Sequence, residues 1–206
     1  MTDERSRRRR PPKLVLQAGT RLTPKLLPSL PDAAKRVLSG KGTVILDGNT
    51  LDPTLQLFLT SLHLVGVPEL VLDQHDLAAS RAAFHDLCVS LGGAPVPVRV
   101  DEMSLPGAIG ARHYRPDVTG PAPLLVFFHG GGYVLGDLDS SDALCRYICR
   151  EGGIHVLSVD YRLAPEHKAP AAVEDCHAAY RWAVAHTELL DVDPTRIAVG
   201  GDSAGG

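Results

Sequence analysis

The first third of the chain places its apolar residues at helical spacing in two segments. The first segment can be capped by Thr50 or Asp52, and Pro53 then falls in its first turn, where proline is tolerated. The second segment runs from Asp76, a plausible N-cap, to Leu91. The pattern therefore predicts a mainly helical region before residue 96.

From residue 96 onward the spacing of apolar residues changes to that of strands. Apolar and polar residues alternate over 96–103, and 111–115 is a second short extended segment, so two antiparallel strands are predicted. Strands and helical segments then alternate, with an uninterrupted apolar strand at 124–128, further strands at 154–159 and 196–199, and helices at 140–151 and 171–186. Such alternation requires right-handed crossovers and predicts an α/β fold with a parallel sheet.

Composition and charge fit an ordinary globular protein. The 206 residues are 44% hydrophobic and 22% charged, with a formal net charge of −3. A basic cluster at 5–10 is followed by Pro11 and Pro12 without the apolar stretch of a secretion signal, so it is interpreted as a solvated tail. We therefore expect no nucleic-acid partner, no transmembrane segment and a cytoplasmic location, with peripheral membrane attachment left open.

The four cysteines lack CxxC spacing and a secretory context. Buried free thiols are the favoured interpretation, and a metal site that combines cysteines with His177 is a much weaker alternative. No metal and no cofactor is predicted. The cysteines are Cys88, Cys145, Cys149 and Cys176.

Candidate chemistry begins with the sequence from Gly201 to Gly205, which matches G-x-S-x-G. This pattern makes a sharp turn that exposes a serine hydroxyl at the end of a strand, and its glycines leave room for the bend. By itself the pentapeptide is a weak signal, because a glycine- and serine-rich loop can follow any strand. Here it directly follows the predicted strand 196–199, which is the context that the pattern requires.

A second glycine turn, His129-Gly130-Gly131-Gly132, follows the predicted strand 124–128. Ligands of parallel α/β sheets bind at the carboxyl ends of the strands, so both turns can face one site. Bare backbone N–H groups of Gly131, Gly132 and Ala204 could hold the oxyanion of an acyl-transfer intermediate. A flexible loop or a phosphate cradle is the alternative, although no P-loop lysine follows.

Three motifs in this order resemble the hormone-sensitive-lipase-like branch of the α/β-hydrolases, and most of all its actinobacterial carboxylesterases and lipases. The resemblance covers about residues 96–206. The motifs are the glycine turn 129–132 with Tyr133-Val134-Leu135-Gly136, the segment from Asp160-Tyr161-Arg162 through Glu166 to Asp175, and Gly201-Asp202-Ser203-Ala204-Gly205-Gly206.

The resemblance implies a fold, a reaction and a division of the chain. It implies a serine ester hydrolase without metal or cofactor, in which Ser203 is the nucleophile and small-molecule esters or lipids are substrates. It also implies a helical cap segment at 21–95 and the N-terminal portion of the α/β-hydrolase core at 96–206, whereas composition alone predicts a disordered basic tail at 1–20.

The same resemblance assigns the remaining site residues. The oxyanion hole would comprise His129 as the anchor of its loop, the three glycines that follow it, and Ala204. Structural support would come from charged residues, among which we expect Arg162 to pair with Asp175 or Glu174, and Glu166 to be structural. The supporting residues are Asp160, Arg162, Glu174, Asp175 and Asp202.

In this fold the triad acid and histidine follow the serine in chain order, and all nine histidines precede Ser203. The resemblance thus implies an incomplete hydrolase fold, without the strands and helices that follow the serine turn. We expect the 206 residues alone to be inactive. The alternative is a non-catalytic binding protein, or an inert or partner-dependent chain, on the same scaffold.

Overall fold

A computed structural model describes residues 29–40, 42–64 and 76–206. The chain divides between Leu72 and Asp73 into two compact units. Each unit is described separately. The predicted basic tail at 1–20 lies outside the described residues, and the predicted cap segment 21–95 contains parts of both units.

Among the described residues, the first unit has two helices and a two-stranded antiparallel ribbon. Asp52 begins the longer helix, since its Oδ1 accepts the backbone N–H groups of Thr54 at 2.8 Å and Leu55 at 3.0 Å. The predicted helix with proline in its first turn is therefore confirmed. In chain order the elements are α1 (Asp32–Leu38), β1 (Ile45–Leu46), β2 (Asn49–Thr50) and α2 (Pro53–Leu64).

The second unit begins with a helix that precedes its sheet, α3 (Leu77–Gly92). Its N-cap is Asp76, which accepts the N–H of Ala79 at 3.0 Å, as the sequence predicted. The helix ends at Gly92, and the residue that caps it, Gly93, has φ of +72°, where a glycine is favoured. Helix α3 packs against a later helix of the same unit, α4 (Leu138–Gly152).

The sheet of the second unit has five strands, which are β3 (Arg99–Leu105), β4 (Ile109–Arg115), β5 (Ala122–Phe128), β6 (His155–Asp160) and β7 (Val192–Gly201). Their order in the sheet is β3-β4-β6-β5-β7. Strand β4 pairs antiparallel with β3 and β6, whereas β5 pairs parallel with β6 and β7. The predicted α/β class, hairpin and parallel strands are confirmed.

Helices cover both faces of the sheet. On one face α5 (Ala171–Ala185) and α6 (Thr187–Leu190) pack against alternate residues of β5, including Leu124 and Val126. On the other face α4 packs against Phe127. Burial on both faces explains why β5 is an uninterrupted apolar run. No helix in the described ranges is both long enough and apolar enough to span a membrane.

All four cysteines are free, as predicted. Cys145 and Cys149 lie on the buried face of α4, and Cys88 and Cys176 are partly buried. Burial raises the pKa of the Cys145 thiol to about 12, so this thiol is protonated and unreactive at neutral pH. Within the described residues, no group of three or more potential ligands is arranged to hold a metal ion.

Two buried histidines meet between β4 and β6. His113 Nε2 and His155 Nδ1 are 3.0 Å apart, and both side chains are almost fully inaccessible. Burial, together with the charge of Arg115, lowers the pKa of His113 to about 3. Burial also lowers the pKa of His155. The pair is therefore neutral at pH 7, since protonation would place a charge in the core next to a cation.

We expect this pair to make the fold sensitive to acid. A folded-state pKa below the unfolded value of about 6.5 means that the unfolded chain binds protons first. The stability from the neutral pair is complete above pH 6.5 and is lost as the pH falls towards 3. Between pH 6.5 and 5 the loss should be about 1–2 kcal/mol, measurable as the free energy of unfolding in urea.

The double variant His113→Leu/His155→Leu removes both titrating groups and should flatten this dependence on pH. His177→Leu, which changes an exposed histidine, should have the same dependence of unfolding free energy on pH as the parent protein. Equal slopes in the parent and the double variant would show that the buried pair does not cause the acid sensitivity.

Candidate active site

Both glycine turns lie at one edge of the sheet. Strands β5 and β7 are parallel neighbours, and their last paired residues are Phe128 and Gly201. The turn that starts at His129 therefore begins beside the turn that contains Ser203. The sequence predicted that the two turns face one site, and the strand pairing confirms that they are adjacent.

The turn around Ser203 is too tight for side chains at its glycines. Ser203 has φ of +50°, a left-handed conformation that is rare for a residue with a Cβ atom. A Cβ at Gly201 or at Gly205 would overlap the carbonyl oxygen of Phe128. The glycines of the G-x-S-x-G pattern are thus required by close approach to the neighbouring strand. Strain at Ser203 is the kind that concentrates at functional sites.

The glycine loop after β5 folds back on itself. The carbonyl of Gly131 accepts the N–H groups of Val134 at 3.1 Å and Leu135 at 2.9 Å. Gly131 has φ of +124°, and a Cβ there would overlap the carbonyl oxygen of Leu135. Among the described residues no acceptor is bonded to the N–H of Gly131 or Gly132. These two predicted oxyanion donors are therefore available to a ligand.

Asp202 joins the two turns directly. Its Oδ1 accepts the N–H of Gly130 at 2.7 Å, and a Cβ on Gly130 would overlap the carboxylate. Backbone groups add a second link, since the N–H of Asp202 donates to the carbonyl of Phe128 at 3.3 Å. The hydrogen bond to Gly130 is thus the contact through which Asp202 would play its predicted supporting role. Gly130, by contrast, uses its N–H internally and cannot also donate it to a substrate.

The ring of His129 is buried and held in place. Its Nδ1 donates to the carbonyl of Gly130 at 2.8 Å, and the ring stacks on Tyr161 with centroids 4.2 Å apart. The Tyr161 hydroxyl donates to the carbonyl of His129 at 2.5 Å. These contacts agree with an anchoring role for His129. In the described residues, no side chain forms a hydrogen bond with Ser203 Oγ.

The predicted pairing of Arg162 is confirmed. Its Nε and a terminal nitrogen donate to the two oxygens of Asp175 at 2.8 and 2.7 Å, and its backbone N–H donates at 3.0 Å. Burial of Asp175 tends to raise its pKa, but these hydrogen bonds outweigh that effect and lower it. Glu174 lies farther from Arg162, at 3.9 Å. Asp160 ends β6, and partial desolvation raises its pKa.

Two residues of α3 contact this region, and the sequence did not predict either contact. Arg81 donates to the carbonyl of Val134 in the glycine loop, and its guanidinium pairs with Glu166. His85 bonds Asp137 at 2.7 Å. Their spacing of four residues places both on one helix face, but that spacing alone does not identify partners.

A small cavity of about 120 Å³ lies beside the junction of the two turns. Its lining combines apolar residues of α3 and α4 with polar residues of the junction. The residues that line it include Phe84, Cys88, Leu144, His129, Gly130 and Asp202.

Comparison with known proteins agrees with this geometry. Residues 125–206 match the family described as alpha/beta hydrolase fold. The chain is 55% identical over 186 residues to carboxylic ester hydrolase LipN of Mycobacterium tuberculosis, which covers 88% of this chain and 49% of that protein. The chain has the α/β-hydrolase fold and is similar in sequence to ester hydrolases with that fold. The resemblance to ester hydrolases of this family is thereby confirmed.

Further relatives extend the same similarity. Ethyl acetate hydrolase of Pseudomonas putida is 38% identical over 167 residues, which cover 76% of this chain and 52% of that protein. An arylesterase structure superposes with a TM-score of 0.66 at 32% identity, covering 75% of this chain and 50% of the other. This α/β-hydrolase chain spans about half the length of the curated relatives it matches.

We expect the glycine loop of this α/β-hydrolase to tolerate no Cβ at its sharpest point. Gly131→Ala should lower the free energy of unfolding by at least about 2 kcal/mol, because the methyl group would overlap a backbone carbonyl and φ is unfavourable. Urea denaturation measures the change. Gly152→Ala is the matched control, since a Cβ there meets only ordinary contacts with Ile154. Equal losses in both variants would contradict the geometry of the loop.

Proposed function

We propose that this protein is a serine carboxylic ester hydrolase that acts through an acyl-enzyme formed on Ser203. The observation that carries the proposal is the position of Ser203, at a strained turn beside a loop with two uncommitted backbone donors. A hydroxyl group next to fixed N–H donors is the arrangement that acyl transfer requires. The names of the relatives, which include esterases and lipases, support the same reaction.

In the proposed reaction Ser203 Oγ attacks the ester carbonyl carbon while a base removes the hydroxyl proton. The carbonyl oxygen becomes negative in the tetrahedral intermediate and is bound by the N–H groups of Gly131, Gly132 and Ala204. The C–O bond to the alcohol then breaks, and the alcohol takes a proton as it leaves. Water attacks the acyl-enzyme in the same way and releases the acid and Ser203.

The base is expected to be a histidine, paired with an acid, that follows Ser203 in chain order. His129 is a poor candidate for this part, because its Nδ1 is committed to Gly130 and its ring is stacked on Tyr161. These contacts support the assignment of His129 to the oxyanion loop. Deletion of the base would leave the oxyanion donors intact. Hydrolases that keep only these donors and their substrate binding retain a rate advantage of about 10³–10⁴ over the reaction in water.

The charged residues around the site are proposed to be structural. Asp202 holds Gly130, and Asp175 holds Arg162 together with the backbone of the segment after β6. Glu174 lies 3.9 Å from Arg162, and Asp160 is the last residue of β6. None of these carboxylates needs to touch a substrate for its hydrogen bonds to keep the turns in place.

Small carboxylic esters are the proposed substrates. The relatives include an ethyl acetate hydrolase and an arylesterase, whose names indicate small alcohol or phenol leaving groups. A lipid ester is the second proposed substrate class, since another relative is named Lipase 2. The cytoplasmic location stays a prediction.

Ser203→Ala tests the proposal in the protein expressed at its native length. With p-nitrophenyl acetate and butyrate as substrates, the variant should lose at least about 10³-fold in kcat, because no oxygen nucleophile remains. Ser104→Ala, which changes an exposed serine of β3, should retain the parent activity. Release of p-nitrophenol measures both variants.

Two results would count against the proposal. Retention of activity by Ser203→Ala would show that the nucleophile lies elsewhere. A parent protein that binds these esters without hydrolysing them would favour a binding protein on the hydrolase scaffold.

A further inference from the structure

Helix α3 holds the glycine loop through one arginine. Arg81 Nε donates to the carbonyl of Val134 at 2.9 Å, and a terminal nitrogen donates to the carbonyl of Ala164 at 3.0 Å. The same guanidinium forms two 2.8 Å hydrogen bonds with the carboxylate of Glu166. One side chain therefore joins α3 to two separate loops.

The two loops are also bonded to each other at this point. The N–H of Ala164 donates to the carbonyl of Tyr133 at 2.9 Å. Tyr133 directly follows Gly132, whose N–H is a proposed oxyanion donor. Arg81 thus binds the backbone two residues beyond that donor and binds the neighbouring loop that supports it.

The conformation held by Arg81 is one that the loop would rarely adopt alone. Gly132 and Tyr133 both have left-handed backbones, with φ of +63° and +64°. For tyrosine this conformation is uncommon, so surrounding contacts must maintain it. Charged N–H groups that donate to backbone carbonyls are strong hydrogen bonds and suit this task.

A second contact from α3 secures the far end of the loop. His85, one helical turn after Arg81, bonds Asp137, which accepts the N–H of Ser140 and caps α4. The hydrogen bond that His85 donates to the carboxylate of Asp137 raises the pKa of His85. Arg81 and His85 therefore hold the two ends of the segment 134–137 from one helix face.

The ion pair itself contributes little to this arrangement. The side chains of Arg81 and Glu166 are 30% and 52% exposed, so water screens their charges. Glu166 accepts two hydrogen bonds from the guanidinium, and the hydrogen bond from Arg81 lowers the pKa of Glu166 to about 2. The bonds from Arg81 to the two carbonyls are the contacts that act on the loop.

We propose that Arg81 is a positioning residue for the oxyanion hole, acting through its hydrogen bonds to the carbonyls of Val134 and Ala164. This inference rests on the proposed esterase function. Loss of these bonds would let Gly131 and Gly132 move relative to Ser203. A displacement of about 1 Å at a reacting centre can cost about 10²-fold in rate.

The experiment compares Arg81→Gln, Glu166→Gln and Arg181→Gln in the protein at its native length. Arg181 is an exposed arginine of α5 and serves as the matched control. The kcat and KM for p-nitrophenyl butyrate are measured well below the unfolding temperature of each variant. Hydrogen exchange of the amides of residues 131–137 is measured on the same samples.

Arg81→Gln should lower kcat by about 10–100-fold, change KM by less than about 3-fold and speed exchange in the loop. Glu166→Gln should change kcat by less than about 3-fold, because the arginine keeps both carbonyl contacts. Arg181→Gln should match the parent. If Arg81 only stabilised the fold, the variant would instead have a lower unfolding temperature, and kcat would not fall selectively while KM stayed constant.

The inference is overturned if the amides of residues 131–137 exchange at the same rate in Arg81→Gln and in Arg181→Gln. It is also overturned if Glu166→Gln is as damaging as Arg81→Gln, which would assign the effect to the ion pair. A parent protein without ester hydrolysis would refute the proposed function instead, and loop exchange would still decide whether Arg81 holds the loop.

Discussion

The parallel pairing of β5 with β7 is the constraint on which the site depends. Neighbouring strands lie about 4.8 Å apart, so the turns that follow them begin within contact distance. The hydrogen bond from Gly130 to Asp202 then fixes one turn against the other. Burial of β5 on both faces supports this pairing, because the strand cannot shift without exposing core residues such as Val126.

Close approach of the two turns to each other and to the end of β5 explains why glycine recurs at this edge. At Gly130, Gly201 and Gly205 a Cβ atom would overlap the opposite turn or the end of β5. A glycine pattern therefore reports a packing requirement, and this is why the sequence located the site. Strands and helices could be predicted for a similar reason, since apolar runs and helical spacing of apolar residues reflect which positions are buried. The chain before residue 96 was less informative, and α1 and the short β1–β2 ribbon were not predicted.

Side-chain contacts over long sequence separations lay beyond sequence reasoning. Arg162 and Asp175 are thirteen residues apart and belong to one motif, so their pairing could be predicted. Arg81 and Glu166 are 85 residues apart, and no pattern links a helix before the sheet to a loop after β6. The His113–His155 pair was missed for a similar reason, because the register of β4 against β6 is set by the whole sheet.

The contacts around the glycine loop share one chemical form. Asp202 accepts a backbone N–H, Tyr161 donates to a backbone carbonyl, and Arg81 donates to two more carbonyls. Each fixes the peptide units without using the N–H groups of Gly131 and Gly132. An oxyanion hole is effective only if its donors are oriented before charge develops, since reorientation during the reaction would cost free energy. Residues that never meet the substrate can therefore determine the rate, and for the proposed oxyanion hole they would come from a helix, a strand end and the serine turn itself.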